Sequence, residues 1–194
     1  MTAEIKVPAK LAELLEYMDS TRAALVACAL NMNPSFARIR PRDEVWSAAD
    51  NLAHLVLVEE FVVDLMAKSI AKAREEGIGA DASDESFMRS LDRWRVPEPL
   101  MKVIAPARIT PDNSKSVEDS LQALDRSRAR LRSILTENTD VDLSAIKRTH
   151  PLLRDLDMYQ WALFVAQHED RHRKQMERAL AETTERAAEC APIV

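Results

Sequence analysis

Two histidines one helical turn apart, His168 and His172, are the residues of this sequence best placed to do chemistry. On a helix an i, i+4 pair puts both imidazoles on one face, close enough to grip a single ion. The stripe around them, Met158, Trp161, Val165, His168, His172, Gln175 and Ala179, steps by three and four and marks an inward helical face. Leaving both imidazoles unpaired in an apolar seam costs on the order of 1–3 kcal/mol each. The pair is therefore either a set of metal ligands or a hydrogen-bonded feature of the core. A third histidine, His54, falls on or beside the apolar face of another helix, directly after Leu52-Ala53. Three imidazoles from two facing helices make a neutral tridentate set with an open position, as in a reactive rather than a closed structural metal centre. In the bland alternative the same rings bond to each other or to water inside a purely structural bundle.

Several residues can support such a site, each with an ordinary alternative. Asp50, one turn before His54, can orient that imidazole or serve only as the third residue of a helix-capping box. Gln175 can bond a ligand or be satisfied by solvent near the bundle end, and His150, before Pro151, can line the pocket mouth or be structural. Cys28 lies on an apolar stripe, where a free cysteine is a small hydrophobe more often than a ligand. Trp46, Met158, Trp161 and Phe164 can wall a pocket, but such residues at helical spacing are usually core. Arg171 and Arg173 read as outward and solvated, and the run from Arg126 to Arg132 as an exposed face. No carboxylate stands out as a general base, although Asp50, Glu59 and Glu169 can approach the site.

The elements that must position these residues follow from periodicity. A first helix runs from about Pro8 to Met32, with Leu11, Leu14, Met18, Thr21, Leu25, Cys28 and Met32 on its buried stripe. A second starts after Ser47, boxed with Asp50, and runs to about Glu76 before Gly77. Residues 77 to 114 hold both glycines and four prolines, and read as a long crossover in which Phe87, Met88, Leu91 and Trp94 can form a short amphipathic helix. A third helix begins near Ser116, boxed with Asp119, carries Arg128 as the polar intruder in its apolar stripe, and frays around Asn138. The fourth opens at Asp157, with Gln160 three residues on, and reaches about Ala187. The expectation is an all-α, single-domain four-helix bundle over 1–194. Its long link between helices 2 and 3 suits an up-down-down-up path better than simple antiparallel neighbours.

Composition agrees and narrows the function classes. Two glycines and 5% aromatics favour long helices over turn-rich sheets. The net charge of −5, with both signs interspersed, leaves no phosphate-binding footprint, so nucleic acid is not an expected partner. No window resembles a signal peptide or a membrane span, and two cysteines make a disulfide framework improbable, so a cytoplasmic protein is expected. Apolar residues on several helix faces leave room for a homodimer.

The stretch Trp46-Ser47-Ala48-Ala49-Asp50-Asn51-Leu52-Ala53-His54-Leu55 resembles a signature of the DinB/YfiT-like family of metal-dependent enzymes. His150-Pro151, Tyr159-Gln160-Trp161, and the run from His168 through His172 to Gln175 resemble that family's closing pattern. The similarity spans most of the chain. It implies a DinB-like bundle with His54, His168 and His172 as ligands to zinc, nickel or another divalent ion. By the same resemblance the activity is a thiol-dependent S-transfer to a small molecule, with a low-molecular-weight thiol as partner, or metal-dependent hydrolysis. A non-catalytic metal-binding stress-response bundle is the remaining expectation. One departure concerns the loop after His150-Pro151, where Arg154 occupies the neighbourhood of a glycine common in the family.

Overall fold

The computed structural model describes residues 8–98, 104–112 and 114–189. Four long helices dominate it: α1 (Ala9–Asn31), α2 (Ala48–Glu75), α3 (Val117–Glu137) and α4 (Met158–Glu189). Their ends follow local chemistry. Ser47 and Asp50 exchange both bonds of a capping box at the start of α2, with Asp50 N–H to Ser47 Oγ at 3.1 Å and Ser47 N–H to Asp50 Oδ2 at 3.0 Å. At the other end Gly77 adopts φ +77°, and the amides of Gly77 and Ile78 return to the carbonyls of Arg74 and Ala73. That is a Schellman closure, which needs the left-handed residue glycine supplies. Ser116 caps α3 by accepting from Asp119 N–H, and Asp157 and Gln160 bond reciprocally as α4 begins.

Pairwise contacts give the path of the chain. Lys10 packs on Tyr159 and Arg22 bonds Glu169, so α1 and α4 run parallel. Phe61 meets Trp161 while Asn51 bonds His172, so α2 opposes α4. Glu59 pairs with Arg128, and Arg74 bonds Asn138, so α2 and α3 run parallel. The bundle is up-down-down-up, and the crossover 76–116 carries the chain back along it. Within the crossover the short amphipathic helix expected around Phe87 to Trp94 does not form. Turns and a 3-10 helix, Asp92–Trp94, take its place, followed by a second 3-10 helix at Ala107–Ile109.

A hairpin precedes α4 and has no counterpart in the sequence reading. β1 (Lys147–His150) pairs antiparallel with β2 (Arg154–Asp157), in register Lys147↔Asp157 to His150↔Arg154. The three-residue turn is closed by Arg154 at φ +64°, a conformation that favours glycine. The loop expected to depart from the family pattern thus does contain a backbone position of positive φ, and arginine occupies it.

The core is interrupted by a charged layer. One apolar cluster gathers Leu14, Met18, Val62, Met66, Leu131 and Trp161, the other Leu25, Leu52, Val56, Leu124 and Met176. Between them lie Arg22, Glu59, Arg128 and Glu169, one from each helix and all buried. Arg22 bonds Glu59 at 2.8 Å and Glu169 at 2.6 Å, and Arg128 bonds Glu59 at 2.7 Å and Glu169 at 3.1 Å. Their spare guanidinium donors reach the carbonyls of Leu124 and Met18. Arg128 is therefore not part of a solvated face, because its charge is matched by two carboxylates inside the bundle. Burial alone opposes that charge, yet Glu59 and Glu169 outweigh it and raise the Arg128 pKa above its ordinary value.

Breaking one corner of this ring strands the carboxylates that remain. The Arg128→Met variant is expected to lose roughly 3–5 kcal/mol of unfolding free energy in urea titration, whereas replacing all four members by apolar residues recovers most of it. A loss below about 1 kcal/mol in the single variant contradicts the ring's role.

Candidate metal centre

α2 and α4 bring three imidazoles together next to this ring. His54, His168 and His172 are buried, and each offers a ring nitrogen such that these three atoms lie within 4.8 Å of one another. The ring centroids of His54 stand 5.2 Å from His168 and 4.7 Å from His172. Hydrogen-bond partners decide which nitrogens are free. His54 Nδ1 lies 2.6 Å from the carbonyl of Ile109, an acceptor only, so Nδ1 carries the proton and Nε2 keeps its lone pair. His172 Nδ1 lies 2.7 Å from Asn51 Oδ1, and the Asn51 amide is oriented by its own donation to Ser47 O at 2.9 Å. His172 Nε2 is thereby free as well, 3.1 Å from His168 Nε2.

The residues present fit a divalent ion. Two imidazoles on one tetrahedral zinc have nitrogens about 3.3 Å apart, given bonds of about 2.0 Å. The His168–His172 separation is near that value without adjustment. In the bland arrangement these two rings share one hydrogen bond, but among the described residues no hydrogen bond reaches His54 Nε2. Burial is the main cause that pushes all three imidazole pKa values down, outweighing the Ile109 carbonyl at His54; with the neighbouring rings it pushes His168 and His172 far down, and Arg171 adds to the shift of all three. The rings are neutral at physiological pH, which is the ligating form.

The supporting residues sort differently from expectation. Asp50 is fully buried at the helix start, bonded to Ser47 and held by Arg40 at 2.7 and 3.0 Å, and makes no bond to His54. That guanidinium and the capping bonds keep its carboxyl below the usual range against the opposing effect of burial. Gln175 is half-buried and does not reach the triad, because Met176 takes the inward position. His150 stands one ring away: its centroid is 4.7 Å from Phe164, which is 5.1 Å from His168. Its Nδ1 accepts the amides of Leu152 and Leu153, which ties the ring to the hairpin turn. Trp46 covers the triad, 4.8 Å from His54, while Cys28 lines a separate groove with Met32 and Phe36. Arg173 is bound by Asp170 and Glu177, but Arg171, expected outside, is half-buried with its Nε sealed and unbonded. Cys190 lies outside the described residues.

The partners that orient the histidines, Asn51 and the Ile109 carbonyl, have no signature among the sequence expectations. Asn51 could have been singled out, since it sits three residues before His54 on the same face. Glu59 and Glu169 do border a cavity of about 10 Å³ beside His168, room for about one water. Both carboxylates are occupied by two arginines each and are not free as bases.

A family model described as the DinB superfamily matches residues 17–176. The solved structure of TT2238, a four-helix bundle protein, is similar with a TM-score of 0.59 at 20% identity, covering 87% of this chain and 98% of that one, a likeness that bears on the fold alone. No curated protein matches. No helix among the described residues is long and apolar enough to cross a membrane.

Folding lowers the histidine pKa values below the unfolded value of about 6.5, that of His150 to about 4 through burial. The unfolded chain therefore binds more protons as acidity rises, so stability is complete above pH ~6.5 and drains as pH falls toward the folded values. Metal-free protein is expected to show a lower urea midpoint at pH 5 than at pH 7.5. His150→Asn, which keeps an acceptor for the turn amides but does not titrate, should shrink the difference. Equal midpoints at the two pH values contradict this.

Proposed function

The chain belongs to the DinB superfamily, and from that membership and its converging imidazoles we propose that it is a metal-dependent enzyme, a thiol-dependent S-transferase acting on a small molecule. His54, His168 and His172 hold one divalent ion, zinc or nickel. The observation that carries this is the presence of three buried, neutral imidazoles whose ring nitrogens lie within 4.8 Å, with no carboxylate in the set. Three neutral ligands leave the full charge of the ion available to a fourth.

Bound there, the ion supplies Lewis acidity, which lowers the pKa of a thiol brought against it. The chain's own residues do the rest. Asn51 and the Ile109 carbonyl fix two of the rings by their outer nitrogens, which keeps Nε2 of each turned inward. Trp46 and Phe164 pack on the rings and limit water around them. Because Glu59 and Glu169 are held by Arg22 and Arg128, neither supplies a general base for activating water, which favours a nucleophile that arrives from outside and ionises easily. Hydrolysis is the second reading, supported by the water-sized cavity beside His168.

The test is thiol consumption with monochlorobimane as electrophile, using zinc- or nickel-loaded protein. Wild type is expected to accelerate the reaction, and His168→Ala to return it to the uncatalysed rate with loss of bound metal. Ester cleavage without thiol would shift the assignment to hydrolase. Stoichiometric metal with no turnover in either assay would leave a metal-binding bundle.

A further inference from the structure

Arg171 stands apart from the other arginines around the site. Arg22 and Arg128 are closed into the ring, Arg40 grips Asp50, and Arg173 lies between Asp170 and Glu177. Arg171 sits directly before His172 and one turn after His168; among the described residues it has no ion pair and no hydrogen bond, and its Nε is shut away from solvent without a partner. Burial and the nearby Arg178 both work against its charge, and no carboxylate offsets them. Its position on α4, three residues after His168 and one before His172, sets it beside two of the three imidazoles on the same helix, and its charge acts on all three.

A half-buried cation without a partner is unfavourable, and more so beside a cluster suited to a second cation. A glutamine or leucine at this position would avoid both costs. The arrangement becomes favourable when an anion completes it, since the planar guanidinium fork matches a carboxylate. Resting on the thiol-transfer reading above, we propose that Arg171 is an anion-binding residue of the site and that the thiol taken there carries a carboxylate group. The anion belongs to the thiol rather than to its acceptor because Arg171 neighbours His168 and His172 on α4, and the thiol is the molecule that meets the imidazoles.

Cobalt-loaded protein tests this through the absorption change that thiol binding produces. Mercaptopropionate and mercaptopropanol, which differ in carboxylate against hydroxymethyl, are titrated into wild type, Arg171→Gln and Arg171→Lys, with cobalt content and circular dichroism as controls. Wild type is expected to bind mercaptopropionate about tenfold or more tightly than mercaptopropanol, the size of a charge-assisted bond. Arg171→Gln should lose that preference while still binding mercaptopropanol, and Arg171→Lys should keep part of it. No preference in wild type, or one that persists in Arg171→Gln, overturns the inference. So does an equal change for both thiols, which would make Arg171 only a modulator of the imidazoles. If neither thiol alters the spectrum, the thiol-transfer reading fails and takes this inference with it; binding of mercaptopropanol alone separates the two failures.

Discussion

The ring of Arg22, Glu59, Arg128 and Glu169 is the constraint on which the rest of the structure depends. Apolar stripes hold four helices together but specify their axial positions weakly, since a leucine can slide from one hole to the next at modest cost. Two guanidinium forks and two carboxylates cannot slide, because any displacement leaves a buried charge unpaired. With one member on each helix, the ring ties all four to one another. Across the antiparallel α2 and α4, the Asn51–His172 bond and the Phe61–Trp161 contact mark a register that sets His54 opposite His168, so the helices held by the ring carry their histidines at a common height.

This placement separates two kinds of electrostatics within a short distance. The ring consumes its own charges and leaves neither Glu59 nor Glu169 free, while the triad beside it stays neutral and buried. A cation held by the imidazoles would thus keep its charge for an incoming ligand. The long crossover also acquires a structural purpose. By bringing the Ile109 carbonyl to His54 Nδ1, it fixes the tautomer of a histidine of the triad on a helix to which it is not adjacent in sequence.

The helices and their limits are legible in the sequence because they are local properties: a 3.6-residue stripe, the Ser47–Asp50 box, and Gly77 at the point where the backbone must turn left-handed. The clustering of three histidines is legible for the same reason, since each lies on an apolar face. What cannot be read is decided by distant partners. Arg128 resembles a member of a charged surface run until Glu59 and Glu169 are seen beside it. Gln175 and Met176 are three and four residues past His172, and spacing alone allows either inward. The hairpin Lys147–Asp157 is charged and half-exposed, with little apolar alternation, and the Ile109 carbonyl has no side-chain signature at all.

The most direct test is X-ray absorption at the metal edge of zinc-loaded protein, comparing wild type with His54→Ala. Three imidazole nitrogens and one further light atom at about 2.0 Å, with one imidazole lost in the variant, is the predicted result. Coordination by carboxylates or sulfur, or a spectrum unchanged by His54→Ala, would contradict a metal centre built from these three histidines.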